Sequence, residues 1–401
     1  MKANRRDFLK VGMAWIAAAS LPSCSGTEKE EKTTGESRSK SHTIVERTLG
    51  RTGIKIPIMS MGGVARDKAT YRAALDAGIR HIDTDSTFRN GWHEKMVGEI
   101  IRERPRESLI VATKVKIPSY NGRGPYPPGT RGEELLRPFE ASMKRLGVEY
   151  LDILYLHSIS SAAAVDYDPV VETLQKLKGS GRTRFLGISV HGYEPDVIRA
   201  VVDCGAYDVI MVSYNFKQRH VSEIKKAIAF AADAGLGIVA MKTQAGAFLD
   251  RERTRPVNHR AAIKWVLSDN NVHTAIPGFR NIEEMEMYLS VMGDLELTPE
   301  EEADLVSAGL EPGLYCLQCG RCVPQCPYEV PVPAYMRAFM YAYGYGNPAK
   351  AKETISGISQ GEPPCGSCAS CNVSCQMGFD VRGRIRDIAR LRAVSEDFLP
   401  A

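Results

Sequence analysis

The chain of 401 residues has little that would hold it in a membrane. Its apolar leader stretch, Val11 to Leu21, runs for eleven residues, well short of the roughly 20 that a spanning helix needs. It also lacks a charge excess. Lys and Arg number 52 against 48 Asp and Glu, for a net charge of +4. With no basic stripe interleaved with aromatics, that balance gives no sign of nucleic acid as a partner. No Gly-x-Gly-x-x-Gly follows the first strand-like run, so an open dinucleotide-binding sheet would lack its fingerprint. From Ser25 to His42 the chain is mostly Glu, Lys, Ser, Thr and Gly, with no apolar residue. Such a stretch cannot bury a core and reads as a flexible tether, residues 25–45.

What is abundant is patterned cysteine. Eight of the 10 cysteines form Cys316-x-x-Cys319-x-x-Cys322-x-x-x-Cys326, followed by Pro327, and Cys365-x-x-Cys368-x-x-Cys371-x-x-x-Cys375. Three thiolates from one tight loop hold three irons of a cubane cluster, and the fourth cysteine crosses to the other cluster in two-cluster ferredoxins. The spacing therefore assigns Cys316, Cys319, Cys322 and Cys375 to one 4Fe–4S cluster, and Cys365, Cys368, Cys371 and Cys326 to a second. Zinc needs four ligands in two pairs and leaves the third cysteine of each run unexplained. A disulfide framework does not explain the doubled spacing either.

The start of the chain fits that cargo. Asn4-Arg5-Arg6-Asp7-Phe8-Leu9-Lys10 precedes the apolar run and resembles a twin-arginine export signal, residues 1–24, a route that carries folded, cofactor-loaded proteins. Leu21-Pro22-Ser23-Cys24 resembles a lipoprotein box, although Pro22 is unusual at its place. The expected location is periplasmic, or membrane-anchored through an acylated Cys24; an incidental Cys24 beside an ordinary cleavage site is the alternative.

Between tether and cysteines lie about 265 residues, the size of one large α/β domain. Strand-like runs fall at Pro57–Gly62, His81–Asp85, Leu109–Val115, Leu151–His157, Arg184–Val190, Asp208–Tyr214, Gly237–Lys242 and Val272–Pro277, with helical patterns between them. Eight strand–helix units predict a closed (β/α)8 TIM barrel over residues 46–297. Arg47 to Ile56 reads as a hairpin plugging the barrel floor. Chemistry in such barrels sits at the C-terminal ends of strands. Asp83, Lys114 and His157 end three successive strands there and would converge on one mouth, whereas any one of them alone would pass for structural.

Over Glu46 to Val291 the chain resembles the aldo-keto reductase family. The matching stretches are Gly78–Thr84, Val111–Lys114, Tyr150–His157, Gly187–Ser189 and Ala275–Gly278. The resemblance implies an oxidoreductase in which reduced nicotinamide delivers hydride to the carbonyl of a small molecule. It gives Asp83, Lys114 and His157 three of the four catalytic roles. The fourth, a tyrosine five residues after the Asp, is Phe88 here, and phenylalanine has no proton to give. A neighbouring group (His157, His191, Tyr120 or His93) takes its place, or the chemistry differs, or the barrel is a scaffold. For the nucleotide, NADP(H) or NAD(H), the resemblance leaves Ser189 at the carboxamide, and Lys242, Gly278 and Arg280 toward the phosphates. Arg280 stands among several carboxylates, which oppose a phosphate.

The loop from Pro118 to Gly132 reads as a substrate lid or a Pro-rich cover. Residues 298–401 are expected to form a small α-rich ferredoxin-type iron–sulfur domain, starting with a helix behind Thr298 and including helices at Pro333–Tyr343 and Arg382–Ala393. A branch of the aldo-keto reductases carries such a module. No flavin signature is present to convert hydride to single electrons. The expectation is thus an exported aldo-keto reductase-type oxidoreductase. The alternative is an iron–sulfur electron-transfer protein, fed by a redox partner, whose barrel has lost nicotinamide-dependent activity.

Overall fold

The computed structural model describes residues 43–63, 67–87, 91–120, 122, 124–358, 364–395 and 398–399. The twin-arginine-like leader, Cys24, the tether as far as His42, Phe88 and Arg123 lie outside the described residues.

Two short strands open the ordered chain, β1 (Glu46–Thr48) and β2 (Lys55–Pro57), paired antiparallel around a tight turn. Leu49, Ile54 and Ile56 bury against Ile110, Ile153, Val209 and Val239, side chains of the barrel strands above. A Cβ on Gly50 would lie 2.5 Å from the Gly235 carbonyl oxygen, and φ there is +48°. Only glycine lets the hairpin press this closely onto the floor.

Seven parallel strands follow in sequence order: β3 (His81–Asp83), β4 (Ile110–Val115), β5 (Leu151–Ile159), β6 (Thr183–Val190), β7 (Val209–Ser213), β8 (Gly237–Met241) and β9 (Thr274–Ala275). The eighth place is filled by residues 58–61. Ser60 N donates to Ala275 O at 2.9 Å on one side, and Asp83 N donates to Met61 O at 2.9 Å on the other. The sheet therefore closes, but through single bridges, Met59 to Ala275 and Met61 to Ile82. This first strand and β9 are shorter than their apolar runs because Gly62 and Pro277 follow. Glycine weakens a ladder, and proline has no N–H to donate to one.

Helices α1 (Lys68–Asp76), α2 (Trp92–Ile101), α3 (Leu136–Leu146), α4 (Asp168–Gly179), α5 (Glu194–Cys204), α6 (Val221–Asp233), α7 (His259–Leu267) and α8 (Ile282–Val291) cover the outside. Polar side chains start several of them: Asp67 accepts from Thr70 N, Asn258 from Ala261 N and Asn281 from Glu284 N. Each cap satisfies an N–H that has no partner inside the helix.

A capping box of Thr298 and Glu301 starts α9 (Pro299–Leu310). Beyond the first cysteine run come α10 (Val332–Phe339), a π-turn at Met340–Gly344, and α11 (Pro348–Ser356); α12 (Val381–Ala389) follows the second run. Their core of Leu314, Tyr335, Met336, Phe339, Ile355 and Ile385 also contains Ala245, Ala247 and Phe248 from the loop after β8. Barrel and helical region thus share a core, and Ser41–Ala401 forms one compact unit. Among the described residues no helix is long and apolar enough to cross a membrane.

Candidate active site

The strand ends bring Asp83, Lys114 and His157 to one pocket in the barrel mouth, with an empty volume of about 1350 Å³ including space open to solvent. Lys114 Nζ donates to Asp83 Oδ2 and, at 2.9 Å, to the Thr84 carbonyl. Both side chains are buried. Burial pushes the Asp83 carboxyl up to about 6, with Lys114 pulling it back. His157 Nδ1 stands 3.0 Å from Asp85 Oδ2. Burial drives His157 down to about 3 against the pull of the Asp85 carboxylate, with Lys350 and Lys114 adding to the fall, so the ring is neutral at pH 7.

His157 is aimed by a bulge. The β5–β6 register shifts between Leu156 and Ile159, and Ser158 adopts φ +66°. Ser158 N donates to Ser189 Oγ at 2.9 Å. Bulges beside active sites re-aim a side chain at the expense of the ladder. Ser189 is therefore committed to the bulge: it is fully buried and is not part of the pocket wall, where a carboxamide contact would have to be.

The other positions expected at the nucleotide do line the pocket, in altered roles. Lys242, at φ +55° directly after β8, places Nζ 2.7 Å from His191 Nδ1. It is buried against imidazole rather than offered to a phosphate. Gly278 lines the wall at φ +77°. Arg280 is held by one carboxylate, its Nε donating to Glu284 Oε1 at 2.6 Å and its backbone N to Oε2 at 2.9 Å. Of the groups considered in place of Phe88, His93 lines the pocket but bonds Tyr71 and Thr84 at 2.9 and 2.7 Å. Tyr120 is elsewhere, donating to the Gly124 carbonyl at 2.8 Å and packed against Tyr126.

The expected lid is not the cover. Tyr120 and Tyr126 belong to the barrel's outer core, and the 118–132 loop contributes nothing to the pocket wall among the described residues. The roof comes instead from the C-terminal region, through Tyr341, Gly344, Tyr345, Asn347 and Lys350. Gly344 makes this closure possible, because a Cβ there would meet the Gly246 carbonyl oxygen at 2.4 Å. Lys350 Nζ donates to Thr87 Oγ1 below it and to Glu353 Oε1 at 3.0 Å. The roof joins residues more than two hundred positions apart in sequence. A π-turn, often found at functional sites, is the one local signal, and it shows only in the backbone.

The cysteines gather crosswise. Cys316, Cys319 and Cys322 line one cavity together with Cys375, and Cys365, Cys368 and Cys371 line another together with Cys326. The empty volumes are about 410 and 460 Å³ respectively. None of the eight is paired in a disulfide, and among the described residues no three His, Cys, Asp or Glu side chains converge as ligands of a single ion. Four thiols spread around a cavity suit a cubane cluster, whose irons each take one thiolate. A third, smaller cavity has His191, Lys242 and Arg337 on its wall together with Cys316.

Comparison with known proteins agrees with both halves. Residues 64–261 match the aldo/keto reductase family and residues 315–380 a 4Fe–4S dicluster domain. The chain is 27% identical over 312 residues to an L-galactose dehydrogenase of Arabidopsis thaliana, covering 66% of this chain and 94% of that protein. It is 25% identical over 323 residues to an L-glyceraldehyde 3-phosphate reductase of Escherichia coli O157:H7, covering 65% and 90%. Among solved structures, the holo form of aldo-keto reductase AKR11C1 from Bacillus halodurans superposes with a TM-score of 0.54 at 22% identity, over 66% of this chain and 96% of that one. That likeness establishes the barrel fold.

Proposed function

We propose that this chain, an oxidoreductase joining an aldo-keto reductase domain to a 4Fe–4S dicluster domain, interconverts a carbonyl and an alcohol on a small molecule and exchanges electrons with two clusters. One cluster is held by Cys316, Cys319, Cys322 and Cys375, the other by Cys326, Cys365, Cys368 and Cys371. The observation that carries this reading is the shared wall: His191 and Lys242 line both the mouth pocket and the small cavity that Cys316 borders. Clusters so held supply or accept single electrons, so the two electrons of one carbonyl–alcohol interconversion would divide between the two clusters, one to each. Each set has one exposed cysteine, Cys319 in the first and Cys371 in the second, so a redox partner could reach either cluster. The relatives act on sugar-sized molecules by their names, an L-galactose and an L-glyceraldehyde 3-phosphate, and a small hydroxylated carbonyl compound is the proposed substrate class. The leader fits this reading, since a cluster protein that leaves the cytoplasm must leave it folded.

Within the pocket, Asp83 fixes the Lys114 ammonium and Asp85 faces His157, so that the imidazole can orient a carbonyl oxygen. A nicotinamide cofactor held here would supply hydride. Arg280 and Glu284, on the wall of the pocket, are the residues that would hold its nucleotide end. A carboxylate accepts from a ribose 2′-hydroxyl and repels a 2′-phosphate, so the pair favours NAD(H) over NADP(H). Equilibrium titration by nucleotide fluorescence is expected to give NADH at least ~10-fold tighter binding, a difference of about 1.4 kcal/mol. Glu284→Ala frees Arg280 and is expected to erase that preference. Tighter NADPH binding by the native protein, or an unchanged ratio in the variant, contradicts the assignment. Phe88 and the roof over the mouth favour the second reading, a partner-fed electron carrier, which requires that neither nucleotide binds.

A further inference from the structure

The carbonyl chemistry proposed above needs a proton on oxygen as hydride reaches carbon, and the barrel's own groups are poorly placed to give one. Asp83 is tied to Lys114. His157 and His191 are both driven by burial toward the neutral ring and hold no surplus proton at pH 7. Tyr155, on β5, has a buried hydroxyl and is not part of the pocket wall. Tyr71 donates to the Gly62 carbonyl at 3.3 Å and meets His93 at 2.9 Å.

The helical region presents a hydroxyl in that place. Tyr341 is the second residue of the π-turn Met340–Gly344 and lines the mouth pocket. Its backbone is fixed on both sides. Asn347 N donates to the Tyr341 carbonyl at 2.8 Å, and Tyr345 N closes the turn on Met340 O at 3.1 Å. Three residues on, Gly344 rests against Gly246 of the barrel loop. Among the described residues nothing takes the Tyr341 hydroxyl as a hydrogen-bond partner. Its charged surroundings are Arg337, Lys350, Glu353 and Asp85, and Asp85 is the carboxylate that faces His157. A phenol fixed by its backbone, with no hydrogen-bond partner among the described residues, and lining the same pocket as Asp85 and His157 has the placement of a general acid.

We propose that Tyr341, delivered across the domain boundary, is the catalytic acid that protonates the substrate oxygen in place of the tyrosine absent at Phe88. The assignment rests on the carbonyl reading of the pocket. The step balances. The C=O carbon gains the hydride of the reduced nicotinamide, the C–O π pair moves to oxygen, and that oxygen takes the Tyr341 proton. The phenolate then recovers a proton from water, so that carbonyl, NADH and H⁺ become alcohol and NAD⁺. The barrel is on this account inactive without its C-terminal region, because the acid belongs to the roof.

The test uses cluster-loaded full-length protein, 4-nitrobenzaldehyde and NADH, under anaerobic conditions. Tyr341→Phe is expected to lower kcat by roughly 10²–10⁴-fold with little change in KM or in NADH affinity. The alkaline fall in kcat that marks loss of the acid's proton is expected to vanish with it. Tyr343→Phe is the control, since that hydroxyl donates to Asp387 at 2.6 Å on the same turn but outside the pocket. It is expected to keep the native rate. Cluster absorption reports that each variant is folded. A Tyr341→Phe enzyme with native kcat and pH profile overturns the proposal while leaving the carbonyl reading intact. The same loss in Tyr345→Phe but not in Tyr341→Phe also overturns it. A native protein that turns over no aldehyde overturns the carbonyl reading and the acid assignment together.

Discussion

Cys375→Ser is expected to remove the cluster of the other cysteine run. The cavity that Cys375 helps to line is otherwise lined by Cys316, Cys319 and Cys322, and its own run closes around Cys326. Iron should fall from roughly eight to roughly four atoms per chain, the content of one cubane. The surviving cluster should be the one that Cys365→Ser destroys, so the Cys365→Ser, Cys375→Ser double variant should retain almost no iron. Paramagnetic resonance of the dithionite-reduced variants, with iron and sulfide analysis, reads both results. If the double variant instead keeps as much iron as Cys375→Ser alone, each run holds its own cluster and the crosswise ligation is wrong. Such a result would falsify the ligand sets without touching the fold.

Lys114→Met is the second large effect, and it acts on stability as well as rate. Removing one member of a buried pair leaves the other unpaired, at about 3–5 kcal/mol. Asp83 is already raised to about 6 from its ordinary 3.8, and losing the Lys114 ammonium moves it further up. Between those values the folded protein holds a proton that the unfolded chain has released, so stability falls as pH rises through the window. The deficit should therefore be largest above the folded value and smallest below about 4. Urea unfolding at pH 5 and pH 8 checks the sign. A loss of the same size at both would show that Asp83 is not the group left exposed. Turnover should also fall by roughly 10²–10⁴-fold, since the remaining carboxylic acid cannot hold a cation at the mouth.

Most of the barrel and both cysteine sets were legible in sequence, because each follows a fixed period. Apolar runs of four to eight residues mark buried strands, and cluster spacing is set by the reach of three thiolates in one loop. The convergence of Asp83, Lys114 and His157 followed from strand ends sharing one face. What failed to show depends on contacts between distant residues. Ser189 keeps a residue type suited to a carboxamide contact, but its hydroxyl is taken by Ser158 N one strand away. The charge of Lys242 points to a phosphate, whereas its Nζ lies against His191 Nδ1. Helix α11 escaped because only Ala351 and Ile355 of its residues are buried, too thin a stripe to register as a period. That helix carries Lys350 and, with the π-turn before it, forms the roof that the sequence pattern had placed in the 118–132 loop.

The account stands on the claim that the mouth pocket and the clusters exchange electrons. The direct measurement is an anaerobic titration of cluster-loaded protein with NADH, followed by electron paramagnetic resonance, with dithionite fixing the full signal. The account predicts a reduced-cluster signal that grows with NADH toward the dithionite level, and a weaker response to NADPH at equal concentration. Silence with both nucleotides beside a full dithionite signal would contradict it, and would leave the clusters to a partner protein and the shared wall of His191 and Lys242 without a part in electron exchange.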